Sequence, residues 1–153
     1  MNKEVERKWR VLRAPEHLPA GDPLRQGYLT ESSDTEVRLR AKSGGYRLTV
    51  KRGRGLSRTE VEVSLSEEQF EELWPLTEGQ RIEKVRYCIP HGAFTIEFDV
   101  FSGSLAGLLV AEVEFTNVDE AKAYEAPAWF GVELTGRKGW SNGDLAREGQ
   151  PAE

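Results

Sequence analysis

One cysteine, Cys88, among 153 residues leaves no partner for an intramolecular disulfide and no set of thiolates for a zinc centre. Long apolar runs are missing as well. None approaches the roughly 18 residues of a membrane-spanning helix, and no apolar stretch precedes the first charged segment as a secretory leader would require. The expected setting is cytoplasmic, with no membrane among the partners. An excess of positive charge is also absent: 21 Lys and Arg against 26 Asp and Glu leave a net charge of −5. A general nucleic-acid binder draws its affinity from bases that neutralise phosphates, so no nucleic acid is expected as a partner. A small anion stays possible, because there only the placement of the bases matters. Histidine is scarce, and His17 and His91 stand in proline-containing segments as expected solvent residues.

What the chain does contain is alternation. At 38% hydrophobic and 31% charged residues it has the composition of a globular protein, and its length suits one domain with a sizeable core. Apolar and charged residues alternate with period two over 4–11, 36–42, 47–51, 60–65, 84–89, 94–100 and 110–115. A shorter candidate at 26–30 brings the count to about eight strands. Ser43-Gly44-Gly45, Pro90-His91-Gly92 and Gly53-Arg54-Gly55 read as hairpin turns and favour an antiparallel arrangement. Short helices are expected at 66–74, where Ser66 and Gln69 form a capping-box pattern, at 118–124, and from Asn142. The domain is expected over residues 1–146, with 147–153 as a flexible tail.

The polar faces of these strands are almost wholly ionic, and the signs are sorted by strand. Acids fall in pairs at Glu4/Glu6, Glu60/Glu62, Glu97/Asp99 and Glu112/Glu114. Bases fall at Arg38/Arg40 and Lys84/Arg86, with Lys8 and Lys51 beside them. Residues two apart on a strand lie ~7 Å from each other, where like charges repel by roughly 2 kcal/mol at an effective dielectric near 20. Four such acidic pairs are a poor choice for an ordinary solvated face. They make sense if cations sit between them and an anion neutralises the bases, inside a barrel of about eight strands whose interior admits one small ligand. The apolar faces then point outward, beneath helices, loops or a partner subunit.

The first strand, Glu4-Val5-Glu6-Arg7-Lys8, resembles the Glu-x-Glu-x-Lys signature of the CYTH superfamily, the triphosphate tunnel metalloenzymes. Arg38-x-Arg40, Leu48-Thr49-Val50-Lys51, Glu60-x-Glu62, Lys84-x-Arg86, Glu97-x-Asp99 and Glu112-x-Glu114 follow in that family's order and rough spacing, out to about residue 146. The resemblance implies a mainly β (α+β) fold: a closed eight-stranded antiparallel tunnel with a charged lumen and a few peripheral helices. It implies a Mg²⁺- or Mn²⁺-dependent hydrolase of the terminal phosphoanhydride of inorganic tripolyphosphate or a related linear triphosphate. Adenylyl cyclase, thiamine triphosphatase and a non-catalytic polyphosphate- or nucleotide-binding module are the alternatives on the same fold, as monomer or homodimer. Trp140 departs from the pattern, which commonly has Tyr there.

The resemblance assigns the expected roles. Glu4, Glu6 and Glu114 are the first metal ligands, with Glu112 close behind and Glu62 and Asp99 as further candidates; hard carboxylate oxygens suit Mg²⁺ or Mn²⁺. Glu60, Glu62, Glu97 and Asp99 hold a second metal, orient water or pair with the bases. Lys8, Arg38, Arg40, Lys51, Lys84 and Arg86 grip phosphate, arginine through its bidentate fork. Glu4, Glu6, Lys8, Glu60, Glu62, Lys84 and Asp99 make up the expected catalytic set. The basic run at 51–58 reads as a hairpin loop at a tunnel mouth. Trp9, Trp74, Trp129, Trp140, Tyr28 and Cys88 read as structural.

Overall fold

The computed structural model describes residues 3–30, 34–53 and 56–152. The alternating runs form eight strands: β1 (Lys3–Val11), β2 (Gly21–Tyr28), β3 (Thr35–Lys42), β4 (Gly45–Arg52), β5 (Ser57–Leu65), β6 (Arg81–His91), β7 (Phe94–Ser102) and β8 (Leu109–Phe115). Every neighbouring pair is antiparallel. They close into one barrel in the order β1-β5-β4-β3-β2-β6-β7-β8. The expected architecture is therefore the observed one. The second strand needs correction: it covers Gly21–Tyr28, not 26–30. Pro23, which has no N–H to donate to a ladder, hides its first half from a pattern search.

Among the described residues three α-helices flank the barrel. α1 (Glu67–Leu73) carries the reciprocal Ser66–Gln69 cap. α2 (Val118–Ala123) is capped by Asn117 and α3 (Asn142–Glu148) by Ser141. The expected boundary after residue 146 falls inside α3. Arg147 donates to the Thr30 carbonyl at 2.9 Å. Pro151 packs over Gly139, whose φ of +88° suits glycine. Among the described residues no helix is long and apolar enough to cross a membrane.

The apolar faces point outward and are covered from outside. Val5, Trp9, Phe98, Val113 and Phe115 pack under α2, Tyr124, Trp129 and Phe130. Leu39 and Ala41 pack under Phe70 of α1, with Trp74 behind it. A further cluster has a different position. Ile82, Phe101 and Val110 face the lumen, as their register partners Gln26, Lys84 and Asp99 show. They meet Leu134, Trp140 and Leu145, so α3 and its approach close one end of the barrel with an apolar plug. The seam between β1 and β5 pairs over only three residues of each strand. Beyond it, residues 131–134 bond to the free edge of β1 through Gly131 N to Arg10 O, Arg10 N to Val132 O and Leu134 N to Lys8 O.

Burial of a large apolar side chain contributes about 1.5–3 kcal/mol, and deleting one leaves a cavity that adds to the loss. Phe98 is fully buried against Trp129, whereas Val61 on the outer face of β5 is 54% exposed. Phe98→Ala should therefore cost about 3–5 kcal/mol in urea unfolding, and Val61→Thr no more than about 0.5 kcal/mol. Equal costs at the two positions would contradict the outward-facing core.

Candidate active site

Closure sorts the charges. The four strands with acid pairs, β7, β8, β1 and β5, are consecutive around the barrel, and so are β4, β3, β2 and β6, of which β4, β3 and β6 carry lumen bases and β2 stands between β3 and β6. Cross-strand partners share a face, so the registers Glu6↔Glu114 and Glu97↔Glu112 turn acids toward each other. Arg38 and Arg40 stand beside Tyr28 and Gln26 on the neighbouring strand. The lumen thus has an acidic arc and a basic arc.

On the acidic arc, Glu4, Glu6 and Glu114 each bring one oxygen into a set lying within 4.8 Å of one another. Crowding shows in their protonation. Burial, then Glu112, pushes Glu6 up to about 7. Burial, then Glu97, Glu4 and Glu6, does the same to Glu114, also to about 7. Glu4 is raised by burial and by its hydrogen bond with Glu60, against the pull of Lys51. A cavity of about 230 Å³ opens to the barrel mouth between Glu4, Glu60, Glu62 and Glu114.

The other carboxylates stand apart from this cluster. Burial acts against the ionised form of Glu112, but Lys8, 3.5 Å away, and then Arg86 and Lys84 hold it well below the usual carboxylate range. Asp99 is fully buried and likewise ionised, between Lys84 and Arg86. Glu62 accepts from the Thr49 hydroxyl at 3.2 Å and pairs with Arg47 at 3.4 Å. Glu60 lies 3.8 Å from Lys51. Of the six carboxylates expected around metal, three converge; Glu112, Glu62 and Asp99 are paired with bases instead.

The bases divide similarly. Lys51 reaches across to Glu4 at 2.9 Å. Lys8 donates to the Trp140 carbonyl at 3.0 Å, tying the lumen to the plug. Arg86 is bidentate to Asp99 and donates to Glu97. Lys84 lies 2.6 Å from Asp99, without the angles of a hydrogen bond. Burial, joined by Arg86 and opposed by Asp99, lowers its pKa to about 8, so it keeps its proton at neutral pH. Arg38 is 5% exposed, and its Nε has no hydrogen-bond partner. Burial and the charges of Arg38 and Arg86 lower Arg40 to about 10. An unpartnered guanidinium nitrogen in a closed lumen is a site that wants an anion.

Sequence reasoning missed several lumen residues. Gln26 and Tyr28 are fully buried beside Arg40 and Arg38, and the tyrosine hydroxyl is pushed up to about 12 by burial, then by Glu36. Their signal was even-numbered spacing on β2, continuing through Gln26 and Tyr28, which Pro23 obscured. Glu36 and Arg58 form a further internal pair at 3.5 Å. Arg58 thus lies inside the barrel, not in a mouth loop as expected, while Arg54 and Gly55 of that loop lie outside the described residues. Trp140 is structural as expected, but through the apolar plug and a backbone carbonyl. Cys88 is exposed, opposite Glu97.

An antiparallel eight-stranded tunnel with facing acidic and basic arcs defines a class of barrel built to hold a polyanion. The chain belongs to the CYTH family, whose domain it matches over residues 2–147. The inorganic triphosphatase of Nitrosomonas europaea is 47% identical over 146 residues, covering 94% of this chain and 96% of that one. The inorganic triphosphatase of Acetivibrio thermocellus is 37% identical over 150 residues, covering 96% and 95%. A crystal structure of an inorganic triphosphatase superposes with a TM-score of 0.70 at 41% identity, over 96% of this chain and 99% of that one.

The raised carboxyls make stability depend on pH. The ordinary value for Glu6 and Glu114 is 4.5, and in the folded protein both titrate near 7. The folded state therefore holds protons that the unfolded chain has released, and its stability falls as pH rises from about 5 to about 8. The metal-free protein should melt at progressively lower temperature across that window, and Glu6→Gln should flatten the decline. A melting temperature that climbs over the same range would contradict the assignment.

Proposed function

We propose that this protein hydrolyses the terminal phosphoanhydride of inorganic tripolyphosphate, or of a closely related linear triphosphate, with Mg²⁺ or Mn²⁺ as cofactor. The observation that carries the reading is the convergence of Glu4, Glu6 and Glu114 opposite Arg38 and Arg40, whose donors are incompletely used. The relatives named as inorganic triphosphatases support the same substrate class. The bases face inward, toward a free small polyanion, and the envisaged setting is the cytoplasm.

Three carboxylate oxygens within 4.8 Å fit a hard divalent cation. Glu4, Glu6 and Glu114 would hold it. When bound, the ion supplies Lewis-acid neutralisation of charge on the phosphoryl oxygens. The chain itself supplies position and charge, which are most of what phosphoryl transfer asks of a protein. Arg38 and Arg40 bind non-bridging oxygens from the opposite wall. Lys84 carries a retained proton and its charge into the middle of the lumen. Lys51, through Glu4, links the acidic cluster to the basic arc. Lys8 and Glu112 hold each other and the plug in place. The Asp99–Arg86–Glu97 chain braces β6 against β7. The apolar plug narrows one end, and the cavity among Glu4, Glu60, Glu62 and Glu114 gives access to the acidic arc.

Phosphate release from tripolyphosphate should require Mg²⁺ or Mn²⁺ and should fall by about 10²-fold or more in Glu4→Gln and Glu6→Gln. Pyrophosphate, ATP and thiamine triphosphate assayed in parallel separate this reading from a cyclase or a thiamine triphosphatase. No release with either metal, and no change in the two variants, would sink the enzyme reading. In a second measurement, metal plus tripolyphosphate should raise the melting temperature, because the ligands bind only the folded tunnel. A shift no larger than that from plain salt at equal ionic strength would count against any bound triphosphate.

A further inference from the structure

Two guanidinium groups of the basic arc are held in opposite ways. Arg86 gives Nε and one terminal nitrogen to Asp99, each at 2.8 Å, and the other terminal nitrogen to Glu97 at 2.9 Å. Each of its three nitrogens donates to a carboxylate. Arg40 gives Nε to the Gln26 Oε1 at 2.9 Å, and among the described residues its terminal nitrogens make no hydrogen bond or ion pair. Its cross-strand neighbour Arg47 is turned to Glu62 and Ser64. Gln26, which holds Arg40 through Nε, is uncharged.

Gln26 is itself fully buried, and a buried carboxamide is costly unless both of its ends are bonded. Here both are. An arginine Nε can only donate, so the atom facing it must be the amide oxygen. The amide NH₂ then points the other way, where it donates to the Tyr28 hydroxyl at 3.0 Å. No apolar residue could satisfy either contact. A glutamate could hold Nε, but it would add a negative charge against the guanidinium, as Asp99 does for Arg86.

We propose that Gln26 is the positioning residue for Arg40: its neutral carboxamide fixes the guanidinium plane through Nε while leaving both terminal nitrogens, and the full positive charge, for two oxygens of a bound phosphate. Arginine binds phosphate best through such a bidentate edge, and a fixed plane loses little freedom on binding. The inference rests on the triphosphatase reading above and specifies which wall of the lumen sets affinity. Gln26 acts through Arg40 and touches no reacting atom.

The test uses the full chain with Mg²⁺ or Mn²⁺ and tripolyphosphate. Gln26→Met removes both bonds at similar volume; Gln26→Glu keeps an acceptor for Nε and adds charge. The KM for tripolyphosphate should rise about tenfold in Gln26→Met and further in Gln26→Glu, with kcat changed less than about threefold. In an Arg40→Lys background, which has no Nε–H to lock, Gln26→Met should move KM by less than about twofold, since coupled residues are not additive. If Gln26→Met does not fold, the same cycle is run with Gln26→Glu. Additive effects in the cycle, or a fall in kcat at unchanged KM, overturn the proposal and leave Gln26 a packing residue. Wild type that turns over tripolyphosphate while both Gln26 variants keep its KM defeats this inference alone. Wild type that neither binds nor hydrolyses tripolyphosphate defeats the functional reading beneath it.

Discussion

Four consecutive strands turn carboxylates into one narrow space, and the repulsion among them governs much of what this barrel does. Residues two apart on a strand, and partners such as Glu6 and Glu114 across strands, bring like charges to distances where each pair costs on the order of 2 kcal/mol. The structure relieves that cost in two distinct ways. Glu112 and Asp99 are ionised because Lys8, Lys84 and Arg86 stand against them. Among the described residues no base pairs directly with Glu6 or Glu114, and burial and neighbouring acids raise both to about 7. A carboxyl poised near neutrality gives up its proton more readily beside a cation, so by linkage any cation affinity of this cluster would rise with pH.

The same opposition explains the inverted core. With charged faces inside, each strand's apolar face must be covered from without, and the chain uses α1, α2 and the segment around Trp129 and Phe130 to do so. The lumen is not charged along its whole length, however. At one end Ile82, Phe101 and Val110 replace the ionic pattern and meet Trp140 and Leu145. That plug narrows one end and sets apolar atoms beside the buried Lys84, where a lower dielectric strengthens every remaining charge interaction.

Within the basic arc, charge alone does not define function. Arg86 and Arg40 have the same side chain and face the same lumen, yet one is neutralised by Asp99 and Glu97 and the other is held by an amide. The first stiffens the wall between β6 and β7. The second keeps its field. β2 makes this possible: it stands between β3 and β6 with neutral Gln26 and Tyr28, separating the two basic strands by about 9–10 Å.

Much of this was legible in the chain. Period-two alternation places strands because side chains on a strand point to opposite faces, and sign sorting by strand marks the polar face as something other than a solvated surface. Capping residues mark α1 because Ser66 and Gln69 satisfy the helix's own backbone donors. These are local rules, and Glu4, Glu6, Arg38, Arg40, Lys51, Lys84 and Glu114 followed from them and from a family resemblance. Strand order is not local. Only closure decided that four acidic strands are neighbours, that Glu4, Glu6 and Glu114 meet while Glu62, Glu112 and Asp99 find bases, and that Arg58 points inward to Glu36. The role of Gln26 is not local either: spacing along β2 can place a neutral amide on the lumen face, but its meaning lies in what stands 2.9 Å and 3.0 Å from its two ends. Sequence determined which faces are charged, since that depends on neighbours along the chain. Tertiary structure decided which charges are left unpaired, since that depends on neighbours across it.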